Sequence, residues 1–124
     1  MAISPQFASY LVELFDSVGH VAVRRMFGGA GIFYQNVMIA LYAGDTIYLK
    51  VDAASDPHFE AEGLEPFVYE TQNGRRAVMS FRQMPESCFD DPDDLNDWAR
   101  LAIDAAFRED AKKPPSKRKR KDML

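Results

Sequence analysis

Residues 24–52 read RRMFGGAGIFYQNVMIALYAGDTIYLKVD. Arg24, Arg25 and the pair Met26-Phe27 run into Gly28-Gly29-Ala30-Gly31, and three short runs rich in Ile, Val, Tyr and Phe follow. Such side chains suit a pleated, half-buried surface. Turn residues bound the runs: Gln35-Asn36 after Ile32-Phe33-Tyr34, and Gly44-Asp45 after Val37–Tyr42. Asn and Gly enter positive φ readily, as two-residue hairpin turns require. In the last run Ile47, Leu49 and Val51 alternate with Tyr48 and Lys50, a period of two with one face inward. The stretch is expected to form an antiparallel meander that starts at a glycine-permitted bend. Val37–Tyr42 is apolar nearly throughout, so either both its faces are covered or one meets a partner. Val21–Met26, just upstream, reads as a strand or an extended connector.

The flanks read as helical cover. Ser4-Pro5 gives an N-cap hydroxyl followed by proline at the first helical position. Phe7, Leu11, Leu14, Phe15 and Val18 then form one helical face, and Gly19 is the expected stop. A short helix is expected over 52–62, capped by Asp52 or Ser55 and ended by Gly63. Strands at 67–72 and 75–83 flank Asn73-Gly74, the strongest hairpin signal in the chain. Asp91-Pro92-Asp93-Asp94 starts a last helix, with Leu95, Trp98, Ala102 and Ala105 or Ala106 on its buried face. The fold class that follows is α+β: a two-layer sandwich with an antiparallel sheet of about five strands, in the order α-β-β-β-α-β-β-α.

Length and composition bound the function. The 124 residues make one domain, and an apolar share of 47% suffices for a core. No apolar run reaches the roughly 20 residues that span a bilayer, so no membrane role is expected. The N-terminus carries Glu13 and no basic leader, and Cys88 is the single cysteine; both fit a reducing, cytoplasmic setting. Charge is divided. Residues 112–124 hold seven Lys/Arg and one acid, whereas the other 111 residues hold eight Lys/Arg and 18 Asp/Glu, a net of −10. A folded domain over 1–108 and a disordered basic tail over 109–124 are expected, because KKPPSKRKRK has no apolar residue to offset the entropy of ordering.

No concentrated catalytic constellation emerges. The glycine run lacks the GxGxxG and GK[ST] patterns and precedes a strand, so Met26, Phe27, Gly28, Gly29 and Gly31 read as a structural bend rather than a phosphate loop. His20, His58 and Cys88 have no metal-ligand spacing, so neither metal nor cofactor is expected. Asp90, Asp91, Asp93 and Asp94 are better explained as helix capping than as cation ligands. The candidate interaction residues are basic. Arg24, Arg25, Arg75 and Arg76 lie at strand ends, where they converge on an anion or, more readily, pair with the abundant acids. Lys117, Arg118, Lys119, Arg120 and Lys121 in the tail could hold nucleic acid weakly and without sequence preference, through phosphate contacts.

Four elements together resemble a known family: MFGGAGIFY at 26–34, IYLKVD at 47–52, PFVYE at 66–70 and the late helix LNDWARLAIDAA. They are similar to the N-terminal domain of TfoX (Sxy) competence regulators, over about residues 7–107. The resemblance implies a two-layer α/β sandwich of the type seen in secretion chaperones, regulation of transcription through a protein partner, and no catalytic residues. Full-length relatives carry a second, helical domain; with a basic tail in its place, a stand-alone member is expected. The reading is thus a non-enzymatic regulatory or adaptor domain whose protein partner, or a second copy of itself, docks on its sheet edge or its strand-rich face. Its rivals are a nucleic-acid-associated protein using the tail and arginine pairs, and a small-molecule-binding domain.

Overall fold

The computed structural model describes residues 3–26, 28–70 and 73–120. A helix α1 (Pro5–Leu14) precedes four strands, β1 (Ala22–Met26), β2 (Gly29–Tyr34), β3 (Val37–Ala43) and β4 (Thr46–Lys50). A short α2 (Asp56–Ala61), the hairpin β5 (Pro66–Glu70) and β6 (Arg76–Gln83), and a long α3 (Pro92–Ala111) follow. All six strands form one antiparallel sheet in the order β1-β2-β3-β4-β6-β5. The architecture is α+β, with β1 as the sixth strand in place of a connector.

The local signals are realised as hydrogen bonds. Ser4 Oγ accepts from Phe7 N at 3.1 Å and caps α1. Asp91 accepts from the N–H groups of Asp93 and Asp94 at 3.0 and 3.3 Å and caps α3. Gln35-Asn36 and Gly44-Asp45 all adopt positive φ, the geometry that matches the right-handed twist of paired strands. Asn73-Gly74 departs from its expected tight turn: Glu70 pairs with Arg76, so five residues join the strands and Gly74 takes the positive φ. Thr71 and Gln72, expected as the end of a strand, lie outside the described residues.

One face of the sheet carries the core. Ala30, Ile32, Ile39, Ala40, Ile47 and Leu49 pack against Leu11 and Phe15 of α1 and against Leu95, Ala99, Ala102, Ile103 and Ala106 of α3. The alanines let α3 lie close to the strands, and Ala99 and Ile103 join the face that the sequence marks. A register shift opposite Ile32-Phe33 inserts Ile39 as a bulge, so Ile39 and Ala40 are both fully buried. The bulge explains why β3 lacks alternation. Trp98 sits at the rim, half-buried, with its ring edge-on to Phe59 at 4.8 Å. Arg82 points to the covered face, where Asp56 (2.5 Å) and the Leu64 carbonyl (2.7 Å) satisfy its guanidinium.

The expected domain boundary after residue 108 falls inside α3, which continues to Ala111. Residues 112–120 turn back along the body. The carboxylate of Asp110, only 4% exposed, accepts the backbone N–H groups of Lys119 (2.8 Å) and Arg120 (3.0 Å). Arg118 donates to the carbonyl of Ala111, which the helix end leaves without an intrahelical partner, and to that of Lys113 just beyond it. Arg120 reaches Gln35 and lies over the Phe107 ring at 4.2 Å. Polar anchoring thus holds a segment whose composition offers no apolar surface.

Candidate functional site

Among the described residues no helix packs along the second face of the sheet; the end of α3 reaches only its Lys50–Phe81 corner. Pairing places Arg24 opposite Gly31, Gly31 opposite Leu41, Leu41 opposite Tyr48, and Phe33 opposite Met38, so these side chains share that face. Lys50 opposite Phe81 extends it across β6. Tyr48 meets Phe67 at 4.9 Å and Phe67 stacks on Tyr69 at 6.0 Å, carrying the row to the far edge. Tyr69 is 43% exposed and Met79 37%. Phe33, Met38, Leu41, Tyr48 and Phe67 are partly exposed, and none belongs to the core packed beneath the helices. Of the two readings of β3, in which both faces are covered or one meets a partner, the structure shows one face packed under the helices: Ile39 and Ala40 lie inward, Met38 and Leu41 outward and partly exposed.

The glycine motif shapes this face. Gly28 adopts φ +76°, between Met26 and Gly29, which pair across the β1–β2 turn. A Cβ at Gly29 would overlap the carbonyl oxygen of Tyr42 on β3. At Gly31 a Cβ would meet Met38 Sδ and Phe33 Cε1 at 2.8 Å, because both side chains lie over the bare backbone. Close strand approach and a tight turn account for the glycines. Phe27, the remaining member of the expected bend, lies outside the described residues.

The basic residues divide. Arg24 lies over the Phe33 ring at 4.0 Å. It lines a groove of about 590 Å³ with Asn36, Ser116, Lys117, Arg118 and Lys119. Arg25 is exposed opposite Ala30, on the helix side of β1. Arg75 and Arg76 precede and begin β6, with β2, β3 and β4 between them and β1. The two arginine pairs therefore do not form one edge; the tail joins Arg24 instead. Lys121 lies outside the described residues.

The groove opens into a cleft of about 370 Å³ that shares Arg24, Asn36 and Lys119 and is walled by Phe33, Met38, Met79 and Phe81. Here Lys50, which alternation marks as outward, is buried: its Nζ lies 2.5 Å from Glu109 and 5.1 Å from the Phe81 ring centre. Lys50, Asn36, Glu109, Asp110 and Ser116 are the site residues that sequence reasoning missed. Burial disfavours the charge on Asp110, but the N–H groups of Lys119 and Arg120 and the cations of Lys113 and Arg118 outweigh it and hold its pKa below the ordinary value. Cys88 differs: burial, with Asp94 and Asp91 nearby, pushes its thiol up to about 12, so it is a poor nucleophile at neutral pH. Among the described residues no group of three or more His, Cys, Asp or Glu is placed to hold a metal, and no helix is long and apolar enough to cross a membrane.

The family model of the TfoX N-terminal domain matches residues 13–106. The chain belongs to this family. No curated protein matches the chain. The matched span of the TfoX N-terminal domain contains the whole sheet and the part of α3 that packs on it. Phe107, Glu109, Asp110 and the returning tail lie beyond the matched span.

Proposed function

We propose that this TfoX N-terminal domain is a non-enzymatic regulatory module that acts in transcription regulation by docking a protein partner on its open sheet face. The observation that carries the reading is the row of apolar side chains from Phe33 and Met38 through Leu41 and Tyr48 to Phe67 and Tyr69, which among the described residues no helix covers. Contiguous exposed apolar surface on a soluble domain marks an interaction site, and aromatic and Met side chains are enriched at the centres of interfaces. A cytoplasmic partner or a second copy of the chain would satisfy the surface equally. The rival nucleic-acid reading loses the arginine convergence it asks for and keeps only Arg24 with the tail.

The test is affinity capture from native cells with the wild-type chain and the double variant Leu41→Asp/Tyr48→Asp, with sedimentation of each at micromolar concentration. Both sites are partly exposed, so the variant should stay folded. Capture that is lost in the variant and persists through high salt and nuclease supports the reading, as does a dimer that the variant dissociates. Capture that the variant retains, or that nuclease or salt abolishes, sinks it.

A further inference from the structure

We propose that β5 is a self-association edge, to which a second copy of the chain adds its own β5 in antiparallel register across a two-fold axis. Among the described residues the sheet ends in β1 on one side and β5 on the other. β1 carries Arg24 and Arg25 at its centre, and charge in the middle of an edge strand discourages further pairing. β5 reads PFVYE, with Phe67-Val68-Tyr69 at its centre. Aromatic and β-branched residues favour pairing. Pro66 stands at the first position, where a strand tolerates proline.

The hairpin of β5 and β6 projects beyond its neighbour. β4 pairs with β6 only over Phe81–Gln83, so among the described residues Arg76–Met79 have β5 as their one strand partner. A two-stranded ribbon by itself is marginally stable. Both its faces carry apolar side chains: Val68 pairs with Val78 on one, and Phe67 stacks on Tyr69 at 6.0 Å on the other. Val78 is 68% exposed and Tyr69 43%. Strands added at the β5 edge lengthen both apolar rows at once.

Charge selects a second copy as the occupant and sets its direction. Arg75 and Arg76 lie at one end of the hairpin. Glu62 and Glu65 lie at the other, where the Glu65 carbonyl accepts the Gln83 N–H at 2.9 Å. All four side chains are exposed. An antiparallel two-fold sets the basic end of each copy beside the acidic end of the other, whereas a parallel approach would oppose like ends. Pairing centred on Val68 brings the two Val68 side chains together and sets Phe67 of one copy opposite Tyr69 of the other. Directly opposite residues share a face, so both apolar rows continue across the axis. The two six-stranded sheets would join edge to edge, leaving Leu41 and Tyr48 on the open face outside the contact.

Sedimentation equilibrium of the full chain up to about 100 μM tests this. The wild type should form a dimer. Val68→Lys, a charge at the centre of the edge, should weaken it by about tenfold or more. Reversing either charged end, by Arg75→Glu/Arg76→Glu or by Glu62→Lys/Glu65→Lys, should weaken it as well. An equimolar mixture of the two reversed chains should restore it as a heterodimer, because each charged end then meets its opposite. If Val68→Lys fails to fold by circular dichroism, the reversed chains, altered only at exposed positions, decide. Leu41→Asp/Tyr48→Asp should leave this dimer intact, so it stands or falls apart from partner docking on the open face. The proposal is overturned by a monomer throughout that range, by an undiminished dimer in a folded Val68→Lys chain, by a mixture of reversed chains that stays monomeric, or by a dimer that only Leu41→Asp/Tyr48→Asp dissociates.

Discussion

Two neighbouring glycines do different work, and substitution separates them. Gly28 holds positive φ, so Gly28→Ala should cost about 1–2 kcal/mol through backbone strain alone. Gly29 has no room for a Cβ against the Tyr42 carbonyl, which belongs to a paired strand and cannot retreat freely. Gly29→Ala should therefore cost more, about 3 kcal/mol or beyond, as severe overpacking does. Denaturant midpoints of the two variants check the order. At the same scale, the side-chain hydrogen bond from Arg108 and those from Ser55 hold the Asp52 carboxyl below its ordinary value of 3.8, against a smaller opposing effect of burial. A depressed folded pKa gives stability that is present above the unfolded value and lost as pH falls through the folded one. Asp52→Asn should accordingly lower stability at neutral pH and flatten its acid dependence below about pH 4. An acid limb as steep in the variant as in the wild type, read by thermal melts across pH, would refute the linkage.

The elements show where local signals suffice. Ser4, Asp91 and the Gly44-Asp45 turn behave as their chemistry requires, because a cap or a tight turn is settled within a few residues. Trp98 shows the limit. The spacing Leu95, Trp98, Ala102 marks it as a core anchor, yet its ring is half-buried beside Phe59 at the rim. Trp98→Ala should cost about 2–3 kcal/mol, below the roughly 3–5 kcal/mol of a fully buried large aromatic. Leu95, 1% exposed, should cost as much or more on truncation to alanine. Equilibrium unfolding of both variants decides. Helical periodicity gives the direction in which a side chain points; how far the neighbouring element extends beneath it decides its burial.

At the scale of the molecule, the tail belongs to the fold as well as to the charge balance. Deleting residues 112–124 removes the N–H partners of Asp110 and the guanidinium that meets the Ala111 carbonyl at the end of α3. Truncation should lower stability by about 1–2 kcal/mol, the scale of one or two lost hydrogen bonds to a charged group. It should also abolish any salt-sensitive binding of nucleic acid, since the remaining body is strongly acidic. Unchanged melting of the truncated chain would show that the tail makes no net contribution, as its composition alone suggests.

The sequence by itself determined the fold class, the meander of residues 24–52, the caps of α1 and α3, the Gln35-Asn36 and Gly44-Asp45 turns and the family. Each is written in short-range chemistry: period-two alternation, residues that enter positive φ, hydroxyl or carboxylate caps, and a fixed run of motifs. Strand order, the bulge at Ile39 and the closure of β4 on β6 were decided only in three dimensions, because they depend on which surfaces pack with least void. The candidate site divides in the same way. The apolar excess of β3 marked it as unusual but left open whether both its faces are covered or one meets a partner. That Arg24 and Lys119 would line one groove, that Lys50 on the outward face would pair with Glu109, and that Asp110 would draw back a tail without apolar residues were not legible. Arg24 and Lys119 line one groove from 95 positions apart, Lys50 and Glu109 pair across 59, and Asp110 holds backbone N–H groups nine and ten residues on; none of these is written in a local pattern.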